Sequence, residues 1–133
     1  MTTGFDTYLR TRTSLNDAEI EQIVSAAKPV SLQRNEALLQ QGQVCRHKTF
    51  IVNGLLRIYG IGADGSEHIL YFAPENNWAV EAESYHQQSP SPFTIAAVER
   101  SEVLLWTKPD FDRLLQEIPE GREFRTAQVQ LLI

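Results

Sequence analysis

The sequence holds one cysteine, one methionine and two tryptophans in 133 residues. Cys45 alone cannot close an internal disulfide, so no disulfide framework holds the chain, and this usage fits a reducing compartment, the cytoplasm. No apolar run approaches the roughly 18 residues of a membrane-spanning helix. The start, Met1-Thr2-Thr3-Gly4-Phe5-Asp6, has neither the basic cluster nor the apolar stretch of a secretory signal. Positive charge is scarce: 12 Lys and Arg stand against 17 Asp and Glu, a formal net charge of −5. That balance argues against nucleic-acid binding by this chain itself, because neutralising phosphates requires a basic face. No P-loop, Cys-x-x-Cys or Gly-x-Ser-x-Gly occurs, and nothing supports a nucleophilic triad, so no catalytic residue is assigned and no enzyme is expected. Internal repeats, low-complexity tracts and flexible linkers are also missing.

What is present is ordinary globular material. A hydrophobic fraction of 42% with 22% charged residues can bury a core without a metal or a disulfide, and the length fits one domain. Ser14 reads as a helix N-cap, followed by Ile20, Ile23, Val24 and Ala27 on one helical face until Lys28-Pro29 stops it. From Val30 the period changes to two. Strands are expected at Val30–Leu32, Ala37–Leu39, Thr49–Val52, Leu55–Tyr59, His68–Phe72, Phe93–Val98 and Val103–Trp106. Asn53-Gly54 reads as a type I′ hairpin turn and Asp64-Gly65 as a second turn. Phe111, Leu114, Leu115 and Ile118 then share a helix face, with Pro109 in the first turn and Pro119 as the stop. A helix, about seven short strands and further helices predict a mainly β sandwich or barrel-like roll rather than βαβ units.

The stretches Asn53-Gly54-Leu55-Leu56-Arg57-Ile58-Tyr59, Asp64 to Phe72 and Ser91 to Leu104 resemble the effector domain of Crp/Fnr-type transcription regulators, and the helix around Asp110–Leu115 closes the domain in the same manner. The resemblance implies a cyclic nucleotide-binding-like jelly roll (a double-stranded β-helix) of seven to eight strands with flanking helices at both ends. Residues 1–120 would form the roll with its N-terminal helix. Residues 121–133 would begin a dimerisation helix, which in the family leads to a helix-turn-helix domain. The sequence ends inside that helix, so contact with DNA is expected only through a C-terminal domain outside it. Phe124, Gln128 and Leu131 lie on one face at heptad spacing, and a homodimer through them is the expected assembly. The alternative is a helix packed on its own roll.

In nucleotide-binding relatives a Gly-Glu pair opening a short helix, and an Arg followed by Ser or Thr, hold the ligand. The resemblance puts Glu81 at the ribose-binding position, Val80 in place of the Gly, and Pro92 in place of the phosphate-binding Arg. From Arg57 to Arg100 no Lys or Arg intervenes, while Asp64, Glu67, Glu75, Glu81, Glu83 and Glu99 do. A buried phosphate there would meet carboxylates without a counter-charge, which disfavours cyclic AMP or GMP as a tight ligand and leaves no cofactor assigned. Arg57 and Arg125 are the conceivable rescuers. The candidate pocket residues are Tyr71, Trp78, Glu81, Glu83, Ser84, Tyr85, Ser91, Pro92, Phe93 and Thr94. Tyr71, Trp78, Tyr85 and Phe93 either line an apolar pocket for a neutral or cationic small-molecule effector or fill the core of the roll, and filling is the plainer choice.

Two other patterns compete weakly. Glu81, Glu83 and His86 make an E-x-E-x-x-H string, and a cupin-like metal-dependent enzyme is the runner-up, but the cupin His-x-His pair is missing and no metal site is assigned. Cys45 and His47 could form a reactive pair, yet an inert thiol is the simpler reading. A purely structural dimerisation module is the third alternative.

Overall fold

The structure, a computed structural model, describes residues 3–118. Two helices open the chain, α1 (Thr3–Arg12) and α2 (Asp17–Ser25). Five strands follow: β1 (Lys28–Leu32), β2 (Ala37–Leu39), β3 (His47–Asn53), β4 (Leu55–Ile61) and β5 (Glu67–Pro74). A two-residue strand β6 (Trp78–Ala79) leads into the short helix α3 (Ala82–Gln87). Strands β7 (Thr94–Ala97) and β8 (Ser101–Thr107) come next, and α4 (Lys108–Glu117) closes the described chain. The strands form two four-stranded antiparallel sheets in the orders β1-β8-β3-β6 and β2-β7-β4-β5. This is the mainly β jelly roll that the sequence predicts, with eight strands.

The sequence period explains the layering. On β3 and β8 both faces are apolar, and alternation divides them. Ile51 and Val103 turn inward, into a core shared with Leu56, Ile58 and Ile95 of the opposite sheet. Phe50, Leu104 and Trp106 turn outward, into a second core with Phe5, Leu9 and Ile23 of α1 and α2 and Phe111 of α4. That outer core is aromatic: Trp78 and Trp106 lie 5.4 Å apart, and Phe5 lies 4.7 Å from Phe50. Its buried polar atoms are paired. Trp78 Nε1–H donates to Tyr8 Oη at 2.9 Å, and Trp106 Nε1–H donates to the Ile23 carbonyl at 2.9 Å.

Three sequence expectations change. The N-cap of α2 is Asn16, not Ser14: Asn16 Oδ1 accepts from the Glu19 N–H at 2.8 Å and Glu19 Oε1 accepts from the Asn16 N–H at 2.9 Å, a reciprocal capping box. Asn53-Gly54 is not a type I′ hairpin turn. Only Gly54 has positive φ (+108°), and the turn carries the chain from one sheet to the other, since β3 pairs with β6 and β8 while β4 pairs with β5 and β7. Helix α1, which the apolar spacing did not announce, is held by Phe5 and Leu9 under the outer core. The Asp64-Gly65 turn does join a true hairpin, β4 to β5, and the Gly62 N–H donates to the Ser66 carbonyl at 2.9 Å. Residues 121–133, with Phe124, Gln128 and Leu131, lie outside the described residues.

Two substitutions test this packing. A Cβ on Gly54 would sit 2.2 Å from Ser101 Oγ and 2.7 Å from its Cα, in a conformation that side chains rarely adopt. Gly54→Ala is expected to destabilise the domain by about 2 kcal/mol or more in urea unfolding; an unchanged midpoint contradicts the sheet-crossing role. Tyr8→Phe removes the oxygen that accepts from the Trp78 indole N–H and should cost about 1–3 kcal/mol in the same measurement.

Candidate functional site

Helix α3 and the loop after it, residues 80–93, form the segment that the resemblance marks as the ligand cassette. Glu81 is its N-cap, and its carboxylate accepts from the Glu83 and Ser84 N–H groups at 3.3 Å each. The carboxylate therefore completes the turn that starts the helix. Ser84 is fully buried: its Oγ accepts from the Cys45 N–H at 2.8 Å and donates to the Ser89 carbonyl. Ser91 is buried and binds within its own loop, donating to the Phe93 carbonyl at 2.8 Å and accepting from the Phe93 N–H at 3.0 Å. Thr94 Oγ1 accepts from the Gln41 N–H at 3.0 Å. Ser84 and Thr94 thus fix the cassette to the roll and Ser91 fixes its own loop, while the buried Tyr85 Oη has no hydrogen-bond partner among the described residues.

The aromatic candidates divide. Tyr71 lies opposite Ile58, a core residue, and is still 44% exposed; burial and the nearby Glu81 charge both raise its phenol's pKa. Phe93 is half-buried against the inner core. Trp78 is not a pocket residue, because alternation on β6 turns it to the helix side of the sheet. Tyr85 is not one either: it is 1% exposed, packed in the inner core. Both fill space in the two cores. Pro92 is exposed and, being proline, offers neither an N–H nor a charge. Arg57 does not rescue the position. Its guanidinium lies 4.8 Å over the Tyr59 ring, 3.4 Å from Asn35 Oδ1 and 3.9 Å from Glu67.

The metal and thiol patterns also come apart. Glu83 and His86 are exposed on α3, and among the described residues no group of three or more His, Cys, Asp or Glu could hold a metal ion. Cys45 is buried, and burial raises its thiol pKa; its Sγ–H donates to the His47 carbonyl at 3.5 Å rather than meeting the exposed imidazole.

Sequence reasoning missed two features. The first is a cavity of about 460 Å³ between the two sheets. Leu38, Leu39 and Ile95 wall it on one side, Thr49, Ala79 and Leu105 on the other, and the loop from Gln43 to His47 closes it. The second is a gathering of cations. The chain has three lysines, Lys28, Lys48 and Lys108, and strand register collects all three at one end of the first sheet. Lys28 pairs with Leu105, Lys48 with Trp106 and His47 with Thr107, directly before Lys108. The signal was available in the sequence only to a reader who knew that register.

Lys48 is the most constrained of these cations. It is 4% exposed, with Nζ 5.0 Å from the Tyr85 ring and 5.1 Å from the Phe111 ring, and burial lowers its pKa to about 8. An unfolded lysine keeps its proton to about pH 10.4. Below pH 8 the fold therefore carries the cost of a buried charge, and that cost fades as pH rises through 8 toward 10. Against Lys48→Met, the wild type should gain about 1–3 kcal/mol of relative stability between pH 7 and pH 10. A difference that stays flat over that range contradicts the burial assigned to this amine.

Comparison with known proteins matches this geometry to a family. The family model for the cyclic nucleotide-binding domain matches residues 29–118, more than half of the chain. The potassium channel KOR1 of rice (Oryza sativa subsp. japonica) is 32% identical over 98 residues, which is 73% of this chain and 11% of the channel. The sensor domain of the transcriptional regulator DNR from Pseudomonas aeruginosa superposes with a TM-score of 0.77 at 19% identity, covering 97% of this chain and 85% of that one. Thermus thermophilus catabolite activator protein gives a TM-score of 0.75 at 17% identity, covering 90% of this chain and 56% of that one. This chain thus spans about half of the activator and a small part of the channel. It belongs to the cyclic nucleotide-binding domain family, with the fold expected from the Crp/Fnr resemblance.

Proposed function

We propose that this chain is the effector-sensing domain of a Crp/Fnr-like transcription regulator whose effector is not gripped through a cyclic phosphate. The support for the reading is Pro92, exposed and without a charge or an N–H, at the place the resemblance gives to the phosphate contact. Further support is the absence of any Lys or Arg between Arg57 and Arg100, together with the turning of Arg57 toward Tyr59 and Glu67. A phosphate placed beside Glu81 would find no Lys or Arg cation to pair it within residues 58–99. The domain binds and transmits and has no catalytic role. Its place is the cytoplasm, and DNA contact belongs to a separate domain of the complete regulator.

Transmission runs through the second sheet. The β4–β5 ribbon exposes Ile61, Ile69, Leu70, Tyr71 and Phe72, each 44–50% accessible, on an edge that nothing covers among the described residues. Apolar area of this kind marks an interface. Residues 121–133 of a second copy, with Phe124, Gln128 and Leu131 on one face, are its occupant in this reading. Effector binding beside Tyr71 then changes how the ribbon holds that helix, and a differential affinity for two arrangements is what moves the equilibrium.

Two measurements test the reading. Thermal unfolding in saturating cyclic AMP or cyclic GMP should leave the midpoint unchanged, because only a ligand of the native state raises it; a rise of several degrees at micromolar nucleotide would falsify it. Sedimentation of the full 133-residue chain should give a dimer that Phe72→Glu converts to monomer. A wild-type monomer at high concentration contradicts the helix-on-ribbon assembly.

A further inference from the structure

The cavity between the sheets and the gathered cations meet at one place. Arg46 and His47 line the 460 Å³ cavity, and they also line a neighbouring cleft of about 640 Å³ with Gln88, Thr107, Lys108 and Asp112. The deep wall is apolar: Leu38, Leu39, Ala79, Ile95 and Leu105. The mouth is cationic, in a protein with a net charge of −5. Its positive side chains outnumber its one carboxylate, Asp112, which already pairs with Lys108 at 2.9 Å. Lys28 and Arg46 are close enough to depress the imidazole pKa of His47 after burial does. An anion at the mouth would relieve that crowding.

Helix α4 begins here, but its N-terminus supplies no donor. The Lys108 N–H donates to the Arg46 carbonyl at 3.1 Å, Pro109 has none, and the Asp110 N–H donates to Thr107 Oγ1 at 3.3 Å. Recognition at the mouth therefore falls to side chains. Arg46 is the strongest of them: it is exposed, always charged, and able to pair a carboxylate or phosphate through two N–H groups. The walls include none of Tyr71, Glu81 or Pro92, but Gln88 belongs to the cassette and Cys45 is bonded to Ser84, so the site borders the cassette and uses other residues of it.

We infer that this inter-sheet cavity is a binding site for an anionic amphiphile, with a short aliphatic tail against Leu38, Ala79, Ile95 and Leu105 and a carboxylate or phosphate head at Arg46, His47 and Lys108. The tail gains by leaving water, and the head is placed where its charge is paired at a wet rim rather than buried. The site goes beyond the sensor reading and does not require the nucleotide position to be silent.

Calorimetric titration of the full chain with octanoate, octyl phosphate, octanol and acetate tests it. Octanoate or octyl phosphate should bind saturably, the stronger of the two identifying the head, while octanol and acetate bind at least about tenfold more weakly, since each lacks one half of the recognition. Arg46→Gln alters an exposed side chain that the fold does not need, and it should weaken the anionic amphiphile about tenfold with the unfolding midpoint of the free protein unchanged. Excess cyclic AMP should not displace the ligand. Absence of saturable binding, equal binding of octanoate and octanol, an unaffected Arg46→Gln variant, or displacement by cyclic AMP would each overturn the assignment. Stabilisation by cyclic AMP without such displacement would sink the sensor reading above and leave this site standing.

Discussion

The structure depends on one sheet having to be buried on both sides. Strands β3 and β8 are apolar at successive positions, so neither face can meet water. Ile51, Val103 and Leu105 drive one face against the second sheet, and Phe50, Leu104 and Trp106 drive the other against α1, α2 and α4. The second sheet has no such need. Its outer face stays wet, and β5 is left as an edge with apolar side chains at the surface. Helices thus gather on one side and a free ribbon on the other.

That asymmetry sorts the functional residues. The cassette of α3 hangs between the sheets and is secured by Glu81, Ser84, Ser91 and Thr94, all of them bonded to backbone N–H groups. A polar side chain that completes a turn is a poor place to find a free ligand contact. In this cassette polar chemistry serves architecture. Positive charge lies elsewhere, at the end of the doubly buried sheet where β1 and β3 begin, β8 ends and α4 starts. Lys48 is drawn furthest in, between the Tyr85 and Phe111 rings, and so joins α3 to α4. All three lysines and Arg46 gather at that end of the sheet.

Much of the fold was legible in the sequence. The alternation from Val30 onward, the Asp64-Gly65 turn and the Pro109 helix start all stand where the spacing put them. The exceptions have local causes. Asn53-Gly54 has the chemistry of a hairpin turn, but whether two strands it joins belong to one sheet is decided by partners far away in sequence, β8 for one and β7 for the other. Helix α1 is short and has few apolar positions, so Phe5 and Leu9 matter only once the aromatic core over them exists. Strand β6 is two residues long, below any periodicity. The candidate site was less legible. That Glu81 opens a short helix stands where the resemblance put it, whereas the sidedness of Trp78 and Tyr85 and the convergence of Lys28, Arg46, His47 and Lys108 follow from register, which a one-dimensional pattern does not carry.

On the proposed reading, ligand chemistry has left the phosphate position of this roll. Amide resonances of residues 81–94, followed by NMR during a titration with cyclic AMP, decide this, and they should stay where they are at millimolar nucleotide. A saturable displacement centred on Glu81 and Phe93 would contradict it.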